Sequence, residues 1–518
     1  MHVTAHAVQD QFYEARMEFE DLIEQLLSPA AAGLTHSQAE DLIAQQGREV
    51  LRQLLQGWLE RRGTGDVGPA LAGQDGVRRT QRRLHSRMLE SLFGTVHVER
   101  LGYGTPGQES LHPLDAELNL PKELYSHALR KKVAAEAARS SFEEVVEAIT
   151  EHTGAQVPKR QAEELCQRAA QDFDAFYVQR RAQHQEPQAA AGSIVVLTTD
   201  GKGVPMRKEA LRPQTRKAAE VSTHKLHTRL SKGEKRHRKR MATVASVYSI
   251  APHVRRADDV VRELAPVREV RTERRPQPQG KRVWASVHKA PRAVITEMFD
   301  EARGRDPEGQ RPWVVLVDGQ EHQLRLIRQE VKRRRVAVTL ILDLFHVLGY
   351  LWAAAFAFHA EGSAEAELWV RTQLLALLRG RVSQVAAAMR RSATVRAFTA
   401  SKRAAVDKCA DYLLKYRDLL RYDQYLAAGY PIGTGVIEGA CRYLVKDRME
   451  RTGARWSLDG AEAVLRLRAL WTNGDFEPYW VFHLHREYER NHASHLGTVS
   501  QPGHTQRSSQ VPHLEIIK

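Results

Sequence analysis

Ser193 to Asp200 reads SIVVLTTD with Gly201 following, and Trp313 to Gly319 reads WVVLVDG. Each is a continuous run of aliphatic and β-branched residues closed by Asp-Gly. A short apolar run bounded by turn residues describes a strand covered on both faces. Three further β-rich runs share this part of the chain: MATVASVYSI (Met241 to Ile250), RVWASVH (Arg282 to His288) and VAVTLILD (Val336 to Asp343). A helix is expected over Ala290 to Ala302, between the third and fourth strands. Helices are expected almost throughout from Leu344 to about residue 428, and again after Gly435. The fold class this gives is α/β, a mixed core with a late helical insertion.

The rest of the chain divides around that core. Residues 1–92 read as a helical N-terminal region, with Leu51, Leu54, Leu55 and Trp58 on one face and a basic helix expected around Val77 to Leu92. TVHVERLGY (Thr95 to Tyr103) alternates like a strand of a small hairpin. Ser141-Phe-Glu-Glu144 is a capping box that starts an amphipathic helix ending at Thr153-Gly154. After Pro158 comes a second short helix carrying Lys159, Arg160, Gln161 and Arg168. Two short helices around a glycine turn, the second rich in side chains that read bases, fit a helix-turn-helix; they also fit an ordinary helical hairpin. The expected divisions are 93–180 for this region, 193–346 and 431–490 for the two parts of the core, 347–430 for the insertion and 491–518 for a disordered tail.

Composition narrows the function classes. The chain has 518 residues, 42% hydrophobic and 27% charged, with 78 Lys and Arg against 63 Asp and Glu, a net charge of +15. Such a mixture excludes a wholly disordered chain, a collagen and a disulfide-stapled module. Three scattered cysteines (Cys166, Cys409, Cys441) give neither a bridge framework nor a zinc spacing and suit a reducing cytosol, so a cytoplasmic location is expected. Met1 to Glu20 lacks the apolar core of a signal peptide. VLGYLWAAAFAF (Val347 to Phe358) falls short of the roughly 20 residues that span a bilayer and reads as a buried helix. Between Arg207 and Arg240 there are 13 Lys or Arg and three acids, two-thirds of the whole net charge in 34 residues, including Lys235, Arg236, Arg238, Lys239 and Arg240. A run of this kind is either a solvated loop or a polyphosphate-binding segment that releases counterions on contact. Double-stranded DNA is the favoured partner.

The acids supply the chemistry. Taken singly, Asp200 and Asp318 are turn formers. On neighbouring strands, about 4.8 Å apart, their carboxylates could share a divalent cation, and oxygen donors without paired Cys or His favour Mg²⁺ or Mn²⁺ over zinc. Glu438, in YPIGTGVIEGACRYLVKDRMERTGARW (Tyr430 to Trp456), is the third candidate; Arg442 and Lys446 follow at i+4 and i+8, either as a surface ion-pair ladder or as a face that holds a metal and a phosphodiester. Asp318 lies 118 residues after Asp200 and Glu438 a further 120, so the three can meet only through the fold. Asp343-Leu-Phe-His346 is either a self-satisfied strand-to-helix junction or an accessory part of the site.

Asp200-Gly-Lys, Val317-Asp318-Gly, Asp343-Leu-Phe-His346 and Gly435-Val-Ile-Glu438-Gly with Arg448 and Trp456 together resemble bacterial insertion-sequence transposases of the ISKra type, DDE enzymes related to the Mutator-like group. The resemblance covers roughly Leu101 to Asn491. It implies a ribonuclease-H-like core interrupted by an all-helical insertion and preceded by a helix-turn-helix DNA-binding region. It also implies Asp200 on the first strand, Asp318 on the fourth, and Glu438 on a helix after the insertion, as catalytic residues and metal ligands. Asp343 and His346 would be the accompanying Asp-x-x-His signature; Asp318 takes the second catalytic place because it precedes the insertion by a full strand and carries Asp-Gly. Relatives often carry cysteines near Leu101 to Gly107, where this chain has none. The reaction implied is metal-dependent cleavage and strand transfer at the element's ends, with two Mg²⁺ about 4 Å apart, Mn²⁺ substituting, by a homodimer or larger assembly on terminal-repeat and target DNA. Arg442, Lys446, Arg448 and Trp456 would contact that DNA. The alternatives are a nuclease or junction resolvase without strand transfer, and a DNA-binding regulator whose acids are only structural.

Overall fold

The computed structural model describes residues 10–183, 192–221, 238–264, 275–451 and 453–496. Lys235 and Arg236 lie outside the described residues. The chain forms two compact units, one of Met1–Asp172 with Glu477–Lys518 and one of Phe173–Phe476. The last part of the chain thus returns to the first unit from Glu477, and does not stay with the core as far as residue 490.

In the first unit, α1 (Tyr13–Leu27) pairs with α2 (His36–Arg61), whose N-terminus is closed by a Thr35–Gln38 capping box. The basic helix expected around Val77 to Leu92 is instead a strand: β1 (Gln81–Ser91) and β2 (Gly94–Gly104) form an antiparallel hairpin in continuous register from Gln81↔Gly104 to Ser91↔Gly94. One face packs Leu89, Val96 and Val98 against Leu59, Leu114 and Leu120. Three short helices follow, α3 (His127–Ala137), α4 (Phe142–Thr153) and α5 (Lys159–Ala169), packed on one another. The Ser141–Glu144 capping box opens α4 as the sequence implies, and Gly154 closes it in the left-handed region at φ 71°, a conformation glycine adopts without strain. His492 and Leu496, placed in the expected disordered tail, are buried here, and Leu496 bridges Gly73. Residues 497–518 lie outside the described residues.

The second unit is built on a five-stranded mixed sheet. Its strands are β3 (Ile194–Pro205), β4 (Lys239–Ile250), β5 (Gln279–Ser286), β6 (Trp313–Val317) and β7 (Thr339–Leu342), in the order β5-β4-β3-β6-β7. All five expected strands are present. Strands β5, β4 and β3 alternate in direction, whereas β3, β6 and β7 are mutually parallel. Parallel strands need crossovers, and helices α6 (Pro291–Arg305), before β6, and α7 (Glu321–Arg334), between β6 and β7, lie along these connections. Ile194, Val195, Val196, Leu197, Val314, Val315 and Leu316 are all fully buried, which accounts for the unbroken apolar runs of the two central strands.

After β7 the chain becomes helical: α8 (Leu344–Phe358), α9 (Ala364–Leu378), α10 (Val382–Val395), α11 (Ala400–Lys415) and α12 (Tyr422–Ala427). Asp343, Ser363 and Thr399 cap α8, α9 and α11. The chain then returns to the sheet as α13 (Gly435–Ala440), which packs on β3 and β4, followed by α14 (Leu458–Asn473). Among the described residues, no helix is long and apolar enough to cross a membrane.

Candidate active site

The parallel register aligns the acids. Thr198 pairs with Leu316, and Leu316 with Ile341. Two residues further along each strand stand Asp200, Asp318 and Asp343, one level across three neighbouring strands. Asp200 does not end its strand. The parallel pairing stops at Thr198↔Leu316, but β3 continues to Pro205 against β4, so Asp200 lies where the β6 side of the strand becomes open.

Each carboxylate is held differently. Asp200 Oδ1 accepts the Gly201 amide at 2.6 Å, and its Oδ2 accepts the Cys441 thiol at 3.2 Å. Asp318 Oδ1 accepts the Gln320 amide at 2.8 Å, an Asx turn across Gly319. Asp343 is fully buried; Oδ2 accepts from the His346 amide at 2.9 Å and contacts His346 Nδ1 at 2.9 Å, while Oδ1 accepts the Thr434 amide at 2.7 Å. Burial would raise the Asp343 pKa, but the hydrogen bonds from His346 and Thr434 outweigh it and hold the carboxyl below its ordinary value. The hydrogen bond to Asp343 lifts His346 above its ordinary pKa; burial opposes this, and the charges of Asp343, Asp318 and Asp200 add to the rise. All three aspartates therefore act on one imidazole.

Glu438 meets Asp343 and His346 from the returning chain, in a close group of ligand atoms that, among the described residues, includes neither Asp200 nor Asp318. The ligand atoms of Asp343, His346 and Glu438 lie within 4.8 Å of one another, and the Thr434 hydroxyl lies 3.4 Å from Glu438 Oε1. Thr434 thus links two acids 95 residues apart, its amide to Asp343 and its hydroxyl to Glu438. Asp343 is fully buried and takes three close contacts, from the His346 amide and ring and from the Thr434 amide, so the Asp-x-x-His pair ties the end of β7 to the returning chain. Asp200, Asp318 and Glu438 are half-buried or exposed and keep lone pairs for a further partner. Oxygen donors of this kind fit a hard divalent cation.

The cationic residues expected around the acids separate into two sets. Glu438 lies on α13, but the single helix expected beyond it is broken by a π-helical turn, Cys441–Lys446, before Asp447–Met449. That wider turn replaces the i+4 ladder expected for Arg442 and Lys446, both of which are exposed. Arg448 and Trp456 are buried, with the guanidinium 4.9 Å from the indole centroid and the indole N–H donating to the Met449 carbonyl at 3.0 Å. The expectation that these two contact DNA is therefore corrected: they pack the end of this segment. Trp456 also bridges Met206, which fixes the chain beside the end of β3.

Of the DNA contacts expected in the basic run, Arg238, Lys239 and Arg240 lie among the described residues. Arg240 donates to the carbonyls of Val287 at 2.8 Å and Ala210 at 3.3 Å, so it too is structural. Lys239 pairs with Glu450 at 2.6 Å, and Arg238 is half-buried at the start of β4. On α5, Arg160 is 89% exposed beside Glu164, Lys159 pairs with Glu143, Arg168 pairs with Glu123 at 2.6 Å, and Gln161 is half-buried.

Sequence reading missed Cys441, Thr434 and four tyrosines of the insertion that touch the strand ends. No local signal marks them, because each has a partner far away in the chain, Asp343 in the case of Thr434. No protein-family model matches the chain, and no curated protein matches it.

Proposed function

We propose that the chain is a DDE transposase that cuts and joins DNA at the ends of an insertion sequence, on a ribonuclease-H-like core. The observation that carries the reading is the row formed by Asp200, Asp318 and Asp343 across three parallel strands, with Glu438 meeting Asp343 and His346 at one end of it. The acids stand on the first strand, after the fourth and beyond the insertion, in the order that the resemblance implies.

Asp200, Asp318 and Glu438 would hold the Mg²⁺, and Asp343 with His346 would keep the strand end and Glu438 in place. Bound there, Mg²⁺ supplies an activated water and charge stabilisation at phosphorus. The acids would hold the metal that receives the phosphodiester, and exposed Arg442 and Lys446 would attract the DNA backbone. No side chain in this arrangement is required as a covalent nucleophile. The α3–α5 group, a helix-turn-helix on this reading, would recognise the terminal repeats through Arg160 and Gln161.

The test uses the full chain, DNA carrying both flanks of its gene, and Mg²⁺. Cleaved ends followed by joined products are expected. Cleavage without joined products would favour a nuclease, and metal-independent binding without cleavage would favour a regulator.

A further inference from the structure

The strand ends that carry the acids are held from the insertion by tyrosine hydroxyls. Tyr412, on α11, donates to the carbonyl of Asp318 itself at 3.0 Å, and Tyr416 donates to the carbonyl of Gly319 at 2.5 Å. On the next strand, Tyr422 donates to the Leu342 carbonyl at 2.8 Å and Tyr425 to the Leu340 carbonyl at 3.3 Å. Four hydroxyls of one helical segment thus meet four main-chain carbonyls, two just past the end of β6 and two on β7, the edge strand of the sheet. Carbonyls past a strand end, or on the open side of an edge strand, lack a ladder partner, and these hydroxyls supply one.

Gly319 records the same contact. Its φ is +88°, and a Cβ there would lie 3.1 Å from the Tyr412 oxygen and 3.2 Å from the Tyr416 ring. The Asp-Gly pair is therefore shaped by the insertion as well as by the turn. Tyr412 is braced in turn: its ring stacks on Tyr350 of α8 at 3.9 Å between centroids and 12° between planes.

We propose that Tyr412 and Tyr416 are positioning residues: holding the Asp318–Gly319 and Gly319–Gln320 peptides respectively, they set the direction of the Asp318 carboxylate, so the helical insertion is part of the catalytic apparatus. The peptide carbonyl and the side chain share the Asp318 Cα, and the Asx turn to Gln320 passes the constraint on to the carboxylate. The inference rests on the reading of Asp318 as a metal ligand.

The experiment compares the full-length wild type with Tyr412→Phe/Tyr416→Phe, which removes both hydroxyls and keeps both rings. Cleavage at saturating DNA and the half-saturating Mg²⁺ concentration are measured well below the melting temperature, with Mn²⁺ affinity measured separately by calorimetry. The expected result is a cleavage rate at least about tenfold lower and a raised Mg²⁺ requirement, with DNA affinity within about twofold. A double variant that cleaves at the wild-type rate with the wild-type Mg²⁺ requirement overturns the proposal. Should the double variant melt early, Tyr412→Phe alone is put through the same comparison, and the same two results decide. If the wild type binds Mn²⁺ but cuts no DNA, the transposase reading fails, and equal Mn²⁺ affinity in the two proteins overturns the positioning role as well.

Discussion

Cys441 donates its thiol hydrogen to Oδ2 of Asp200 across 3.2 Å, joining the π-helical turn after Glu438 to the first strand of the sheet. The two residues are 241 positions apart, and their contact is one of the ties that bring the returning chain to the row of acids. A thiol is a weak donor, so the bond orients more than it stabilises. Cys441→Ser, which keeps a donor, should cut DNA within a few-fold of wild type. Cys441→Val should lose activity by more than its small stability cost, below about 1.5 kcal/mol, explains. Paired melting and cleavage measurements check this.

Arg442 and Lys446 should behave differently from Arg448. The first two are exposed on the π-helical turn after Glu438, whereas Arg448 is buried against Trp456. Arg442→Ala and Lys446→Ala should each lower the salt slope of DNA binding by about one, with an unchanged melting temperature. Arg448→Ala should instead lower the melting temperature by an amount equivalent to about 2–4 kcal/mol, through lost packing. Salt titrations of binding, set beside thermal melts, separate the two.

On α5, the proposed role in reading terminal repeats gives a third expectation. Arg160→Ala and Gln161→Ala should each weaken binding to the element's ends by about 1–3 kcal/mol while leaving binding to unrelated DNA nearly unchanged. Competition binding between end DNA and random DNA is the measurement.

The second unit also contains a buried charge cluster with a defined pH dependence. Glu301 pairs with Arg282, and with Arg305 at 3.0 Å; the Arg282 guanidinium lies 3.6 Å from the Tyr177 ring centroid. Burial would raise the Glu301 pKa, but the two arginines overcome it and hold the carboxyl well below its ordinary 4.5. A depressed acid contributes stability that is present above its ordinary value and is lost as pH falls from about 4.5 towards 2. Glu301→Gln leaves Arg282 without its buried counter-charge and should cost about 3–5 kcal/mol. It should also flatten the acid limb of the stability profile, which denaturant titrations between pH 3 and 7 would show.

How much of the molecule is legible in its sequence depends on the range of each interaction. The five strands can be read because SIVVLTTD and WVVLV are buried on both faces as unbroken apolar runs and the other three are rich in β-branched residues. The Ser141 capping box and Gly154 are local devices, and both stand where the sequence places them. The strand Gln81–Ser91 imitates a helix because Leu84 and Met88, four apart, form a helical stripe; in the hairpin they share the open face, 59% and 56% exposed. Charge type likewise gives no guide to burial: Arg448 looks like a phosphate ligand in the sequence and is buried in the fold, and half-buried Arg240 is bonded to main-chain carbonyls. The acids Asp200, Asp318 and Glu438 are identifiable as candidates from their Asp-Gly and glycine-flanked settings. Cys441, Thr434 and the tyrosines are not, since their partners lie far away in sequence.

The most direct test of the catalytic assignment sets Asp318→Asn beside the wild type on DNA carrying the element's ends, with Mg²⁺ present and then chelated. The account predicts metal-dependent cleavage by the wild type, none by Asp318→Asn, and equal end binding by both. Cleavage of normal rate by Asp318→Asn, or cleavage by the wild type that survives chelation, would contradict it.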